Sequence, residues 1–240
     1  MKTIVFQVDT YYNTILSGKL AANYYRMQEY CEPSIVSWCE NQGYDHNIVR
    51  PKCEDVSSHR DRWHITMAAT INTVSDFLDS DYDRYLFLDY DIYIPLSFSF
   101  PWQPATIHAK SYGYTSKNNI RTRVPRHTHL TNKIKKITGV EVPNTYLYCV
   151  VGMDREAAKQ LAMPRVEPRV SGMKESVDHN DETALAYYST VNNVPINDIK
   201  KIISHCEIKE NYITHFGGPT GKLKIRKSVT SFETQYINRI

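Results

Sequence analysis

The stretch Tyr85-Leu86-Phe87-Leu88-Asp89-Tyr90-Asp91-Ile92-Tyr93-Ile94-Pro95 constrains the fold more than any other part of the chain. Its apolar opening reads as a strand covered on both faces, the kind found in the middle of an α/β sheet. It then runs directly into two carboxylates. Side chains alternate along an extended chain, so Asp89 and Asp91 are expected on one side and Tyr90 on the other. Two adjacent carboxylates at the lip of a core repel each other and resist ionisation unless a positive charge lies between them. A divalent cation can supply that charge, because hard metals take oxygen ligands and often use one or two carboxylates together with phosphate oxygens. A bare Asp-x-Asp also fits a solvated turn after a strand, so the metal reading depends on partners elsewhere in the chain.

Those partners emerge when the rest of the chain is taken in order. Residues 3–8 read as a first buried strand, ending in Val8-Asp9-Thr10-Tyr11-Tyr12. Ligands of open α/β sheets gather at the carboxyl ends of strands, so an acid, a hydroxyl and a ring here suit a nucleotide, although no glycine-rich dinucleotide fingerprint is present. Pro33 opens a helix to about Gln42 that Gly43 ends, and Tyr44 to Val49 forms a second strand. A longer helix from about Asp61 carries Met67, Ile71, Val74 and Leu78 on one face, expected against the sheet. Arg60, Arg62 and His64 lie at its start, where they read as solvated charges, any one of which can reach a phosphate.

Strand, helix, strand, helix, strand in this order predicts a mainly parallel sheet with right-handed crossovers. Residues 95–145 read as a loop region bordering a site, with a short strand near 105–109 and a helix near 130–138. Thr145 to Val151 reads as another strand, with Gly152 marking a close backbone approach and Asp154 capping a helix to about Met163. Asp181 and Glu182 open a further helix, where acids complement the helix dipole without needing any catalytic role. Finally, Asn211 to Lys222 reads as a strand that delivers His215 to its end, then a flexible glycine turn with Lys222 at its tip. It is not a Walker loop, since Phe216 stands at the first glycine position, Leu223 replaces Ser or Thr and no helix is expected after it. Its glycine amides and Lys222 can still surround a phosphate, and the imidazole can act as a third ligand to a metal such as manganese.

Composition excludes some classes and leaves others open. The 240 residues are 41% hydrophobic and 23% charged, an ordinary soluble globule of one domain. A net charge of +3 is too small to imply nucleic acid, and the basic residues gathered in 117–136 and in the last twenty positions suit an anionic small molecule as well as a polymer. The 18 tyrosines suit base stacking, sugar faces and ordinary cores alike. Cys31, Cys39, Cys53, Cys149 and Cys206 are odd in number and lack metal-type pairing, so reduced thiols in a bacterial or viral cytosol are expected. No apolar run reaches membrane-spanning length, and the one at the start is too short for a signal sequence.

Together these residues resemble the GT-A glycosyltransferases, and most of all the glycogenin-like enzymes of family eight and their close relatives. Asp89-Tyr90-Asp91 is similar to the metal motif of that fold. His215-Phe216-Gly217-Gly218 is similar to the opening of the family's His-x-x-Gly-x-x-Lys-Pro-Trp element, and Asn180-Asp181-Glu182-Thr183-Ala184-Leu185 to its Asp-Gln segment before a helix. The order of the motifs agrees over nearly the whole chain.

The resemblance implies a single α/β GT-A domain over 1–240, with nucleotide bound by 1–95 and donor sugar and acceptor by 96–240. It implies Mn²⁺ or Mg²⁺ on Asp89, Asp91 and His215, and a donor held by Val8, Asp9, Thr10, Tyr11, Arg62, Asp89, Tyr90, Asp91, Gly218 and Lys222. Asp181 and Glu182 would face the donor sugar. The implied activity is transfer of a sugar, with retention, from a nucleotide diphosphate sugar such as a UDP-sugar to a glycan or other acceptor hydroxyl, with no nucleic acid and no membrane span. The chain departs from the pattern in four places. Lys222 comes one residue late, and the Pro-Trp after it is absent. The Asn-x-Gly is replaced by Cys149-Val150-Val151-Gly152, and Glu182 stands where Gln is usual. Two other readings stay open on the residues alone. One is a metal-dependent nuclease or nucleotidyltransferase gripping nucleic acid with 117–136 and 222–239; the other is a nucleotide-sugar-binding module without catalysis.

Overall fold

The computed structural model describes residues 1–12, 16, 18–52, 59–112, 125–170 and 172–237. Cys53 and the basic residues of 117–124 lie outside this set. The central sheet has six strands in the order β2-β1-β3-β6-β5-β7. These are β1 (Thr3–Val8), β2 (Asp45–Val49), β3 (Arg84–Leu88), β5 (Ile107–Ser111), β6 (Tyr146–Asp154) and β7 (Ile196–Asp198). A second sheet of three short strands, β4 (Ile92–Tyr93), β9 (Ile213–His215) and β8 (Ile203–His205), stands beside it.

The buried strands are apolar on both faces because each face meets helices. From β1, Ile4, Phe6 and Val8 enter one core, and from β3 Tyr85 and Phe87 join them. That core is closed by Ile71, Val74 and Phe77 of α3 (His59–Leu78), by Ala157, Ala158 and Leu161 of α5 (Arg155–Leu161) and by Ala184 and Leu185 of α6 (Asp181–Val191). The alternate residues Val5, Leu86 and Leu88 face the opposite core, against Ile35, Trp38 and Cys39 of α2 (Glu32–Gln42). A two-residue period with no polar face is what a central strand requires.

Several expectations match at the level of elements. Gly43 ends α2 in the left-handed region at φ 65°, and Asp154 caps α5 by accepting from Ala157 N at 2.8 Å. Gly152 sits under Phe100, whose ring would lie 2.6 Å from any Cβ placed there. The remaining helices are α1 (Gly18–Arg26), joined to α2 by a wide π-type turn over Met27–Cys31, and α4 (Arg126–Thr138).

The expected mostly parallel sheet is present, with one strand reversed. β1 pairs in parallel with β2 and β3, and β5 with β7, but β6 runs antiparallel to both β3 and β5, so the sheet is mixed and mostly parallel. β6 follows β5 and α4 in the chain and lies between β3 and β5, antiparallel to both. A helix also forms where none was expected: α7 (Gly218–Lys222) and α8 (Ile225–Ile237) follow His215. Pro219 at the second position of α7 supplies a φ already suited to a helix start. No helix among the described residues is long and apolar enough to cross a membrane.

Candidate active site

The carboxyl end of β3 is tied to three other segments through its backbone. Asp89 N donates to Cys149 O of β6 at 2.8 Å, and Ile92 N donates back to Asp89 O at 3.2 Å, so residues 89–92 form a turn. β4 then pairs antiparallel with β9, placing Ile92 opposite His215, and Phe216 N donates to Asp91 O at 3.0 Å. This pairing carries the imidazole to the acid pair across more than a hundred residues of sequence. Asp89, Asp91 and His215 consequently offer ligand atoms that all lie within 4.8 Å of one another, close enough to share one cation. The convergence arises from the turn and the β4–β9 ladder, not from the side-chain alternation of an extended strand that the sequence suggested.

The electrostatics of the group are uneven. Asp91 is buried, with His215 Nε2 3.2 Å from its Oδ1 and Lys222 Nζ 2.5 Å from its Oδ2. Burial alone would raise its pKa, but His215 and Lys222 outweigh burial and hold it well below the ordinary carboxylate range. No hydrogen bond of regular geometry reaches Oδ1, which is shielded from water. Asp89 behaves in the opposite way: desolvation, then the Asp91 charge, push it up to about 6. Burial opposes charge on His215, yet Cys149 and Asp91 beside it raise its pKa well above the usual imidazole value. An under-bonded buried carboxylate oxygen, a second carboxylate reluctant to ionise alone and an imidazole form a donor set that fits Mn²⁺ or Mg²⁺.

Tight packing fixes the lysine. A Cβ on Gly221 would lie 2.5 Å from Phe216 O, so only glycine allows α7 to fold back on the end of β9 and present Lys222 to Asp91.

A cavity of about 430 Å³ opens over this group. It is lined by Val8, Asp9, Thr10 and Tyr11 from the end of β1, by Asp89, Tyr90 and Asp91, and by Gly218 and Lys222. The structure thus gathers nine of the ten expected donor-binding residues around one space. Arg62 is the exception. Its guanidinium is buried under the β1 loop, donating to Thr10 O and lying 5.3 Å from the Tyr11 ring centroid, so it supports the loop and does not line the cavity.

Asp9 is also spoken for. Its Oδ1 accepts from Tyr11 N at 2.9 Å and Tyr12 N at 3.2 Å, its Oδ2 accepts from Tyr24 OH at 2.8 Å, and Arg50 Nε lies 3.7 Å from Oδ2.

Asp181 and Glu182 start α6 behind Asn180, whose side chain caps it by accepting from Thr183 N at 3.0 Å. Both acids are buried and neither lines the cavity. Glu182 accepts from Tyr112 OH and, at 2.6 Å, from Arg126 Nη2. Burial, then the Glu182 charge and the more distant Asp89, raise Asp181 well above the ordinary carboxylate range.

Sequence reasoning missed the cavity walls supplied by α1, the π-type turn and α3: Leu20, Asn23 and Tyr24, then Met27, then Trp63, Thr66 and Met67. It placed Met67 against the sheet, whereas Met67 lines the cavity together with Trp63 and Thr66. The signal was available in Trp63, Thr66 and Met67, whose three- and four-residue offsets share one helix face.

No protein-family model matches the chain, and no curated protein sequence is similar to it. Solved structures are. A glycosyltransferase involved in the glycosylation of the major capsid of PBCV-1 superposes with TM-score 0.50 at 11% identity, over 95% of this chain and 99% of that one. The galactosyltransferase LgtC, solved with donor and acceptor sugar analogues, gives 0.46 at 12% identity over 95% of each chain. A Drosophila β1,4-galactosyltransferase 7 variant solved with manganese, UDP-galactose and xylobiose gives 0.43 at 11% identity over 91% of this chain and 72% of that one. The order of strands and the end-to-end match with the capsid glycosyltransferase establish that this chain has the GT-A glycosyltransferase fold.

Proposed function

We propose that the protein is a metal-dependent glycosyltransferase that moves a sugar from a nucleotide diphosphate sugar, a UDP-sugar in the first instance, to an acceptor hydroxyl. One observation carries this reading: two acids that line the cavity walled by the end of β1 lie within ligand distance of an imidazole from β9. Asp89, Asp91 and His215 would hold Mn²⁺ or Mg²⁺, which when bound offsets charge developing on the diphosphate leaving group.

The chain's own groups divide the remaining work. Lys222 supplies a further positive charge for the diphosphate, and the amides around Gly218 add donors. Tyr11, Tyr24 and Trp63 give the cavity aromatic walls on which a base or ribose can rest. In this reading residues 1–95 carry the nucleotide and 96–240 the donor sugar and acceptor. Asp181, which tends to keep its proton at the start of α6, orients the donor sugar as a hydrogen-bond donor, with retention of configuration. Glu182, held by Tyr112 and Arg126, keeps the start of α6 in place.

The test is incubation of purified protein with Mn²⁺ and a panel of nucleotide sugars, following release of nucleoside diphosphate. Hydrolysis or transfer with at least one donor, lost in Asp91→Asn, is expected. Silence across the whole panel, or unchanged turnover in Asp91→Asn, would sink the proposal.

A further inference from the structure

The ammonium of Lys222 is not simply near the metal group; it is bonded to it. Its Nζ lies 2.5 Å from Asp91 Oδ2, with both side chains largely shielded from water at 21% and 5% exposure. On the other oxygen stands His215 Nε2 at 3.2 Å. A dication bound at either oxygen of Asp91 therefore lies within about one carboxylate's width of a fixed positive charge, in surroundings where charges are poorly screened. The lysine also has no other acid to turn to among the ion pairs of the described residues. Its backbone at the end of α7 is set by the close approach of Gly221 to Phe216 O, while its four-carbon stem lets the ammonium change partners without moving the helix.

Resting on the metal-dependent reading above, we infer that Lys222 is a charge gate that makes cation and diphosphate bind as a unit. While Lys222 is paired with Asp91, the cation meets a half-neutralised carboxylate and is repelled. A diphosphate entering along the cavity that Gly218 and Lys222 line offers the ammonium another anionic partner and frees Asp91 for the cation. Coupling of this kind is reciprocal, so the cation must favour the diphosphate by the same factor. The device guards the site against free divalent ions and favours the metal–nucleotide complex as the species that binds.

The experiment measures Mn²⁺ affinity in the absence of nucleotide, by electron paramagnetic resonance of free Mn²⁺ at pH 8, for the wild type, Lys222→Met, Lys222→Gln and Asp91→Asn. Removing the ammonium should tighten Mn²⁺ binding about tenfold, within the usual range of coupling between sites. Lys222→Gln keeps an amide donor opposite Asp91 and reads the same effect if Lys222→Met folds poorly. UDP titrated in the presence of saturating Mn²⁺ should bind both lysine variants more weakly than the wild type. If the wild type binds Mn²⁺ and Asp91→Asn does not, yet neither lysine variant binds it more tightly, the gate is wrong while the metal site stands. Mn²⁺ binding to none of the four proteins would overturn both.

Discussion

Asp9 and Asp91 are two buried carboxylates at the carboxyl ends of neighbouring parallel strands, β1 and β3, and they are satisfied in opposite ways. Asp9 is held mainly by neutral donors, the amides of Tyr11 and Tyr12 and the hydroxyl of Tyr24. Asp91 is held by side chains that carry or can carry charge, Lys222 and His215. Neutral donors from the chain's own backbone cannot leave without unfolding the loop, so Asp9 is a structural fixture that shapes the cavity wall. Charged side chains can exchange one anionic partner for another, so Asp91 is available to a ligand. Similar burial and similar topology thus produce a wall in one place and, in the proposed reading, a binding group in the other.

The comparison breaks most visibly under amide substitution. Asp91→Asn removes the charge that organises the metal group and leaves Lys222 without its acid, so Mn²⁺ affinity should fall at least about a hundredfold, with any sugar transfer falling alongside. Calorimetric titration with Mn²⁺ checks the first and a donor-hydrolysis assay the second. Asp9→Asn should do the reverse. The new amide nitrogen must face either two backbone N–H groups or the Tyr24 hydroxyl, leaving a buried donor unsatisfied at a cost of about 1–3 kcal/mol of stability. Denaturant unfolding reads that loss, and Mn²⁺ affinity should stay within about twofold of the wild type.

How far the sequence revealed these two roles depends on what kind of contact each residue makes. The buried strands, the acid pair, His215 and the capping Asp154 were legible because each sits in a local pattern: an apolar run, a spacing of two, a strand end, a helix start. The resemblance of ordered motifs named residues at the end of β1, after β3 and on α7 that the fold brings around one cavity. What stayed hidden was long-range or backbone-made. The antiparallel course of β6 is fixed by pairing with β3 and β5, and no local pattern encodes direction. Arg62 carries a charge suited to phosphate, but its guanidinium is placed against Thr10 O and the Tyr11 ring, about fifty residues away in sequence, a contact no local pattern shows. Glu182 likewise reads as a helix-start acid until Tyr112 and Arg126 are brought to it. The short α7 was missed because its glycines signal a turn, and only the packing of Gly221 against Phe216 shows why they are there.

Proton competition sharpens the contrast next. Asp89, pushed up to about 6 by burial and by the Asp91 charge, must lose its proton before it can ligate a cation. His215, raised well above its usual value despite burial by Cys149 and Asp91, must do the same at neutral pH. Both folded-state pKa values are raised, so both protons compete with metal more strongly as pH falls. At pH 7 about one proton should leave for each Mn²⁺ bound, approaching two below pH 6, and affinity should drop by about tenfold per unit and then more steeply. Asp91, held far lower, adds nothing in this window. Titration calorimetry in two buffers of different ionisation enthalpy counts these protons. A pH-independent Mn²⁺ affinity between 5 and 8 would mean that Asp89 and His215 are not ligands.

The smallest effect comes from a residue that touches both regions. Tyr24 donates to Asp9 through its hydroxyl, while its ring stacks on Tyr90, the central residue of the acid pair's turn, with centroids 5.9 Å apart and planes 13° from parallel. Tyr24→Phe keeps the ring and removes the hydroxyl that donates to Asp9 and accepts from Gln28 Nε2 at 3.1 Å, while Asp9 Oδ2 retains Arg50 at 3.7 Å. A hydrogen bond to a charged group of this type contributes about 1.5 kcal/mol net, and the partial replacement by Arg50 or water should bring the loss nearer 1 kcal/mol. Unfolding midpoints should therefore fall slightly, while Mn²⁺ affinity and its proton count stay unchanged. Should Tyr24→Phe weaken Mn²⁺ binding by more than about threefold, the β1 loop and the metal group are one coupled unit, and Asp9 acts on the cation through the Tyr24–Tyr90 stack.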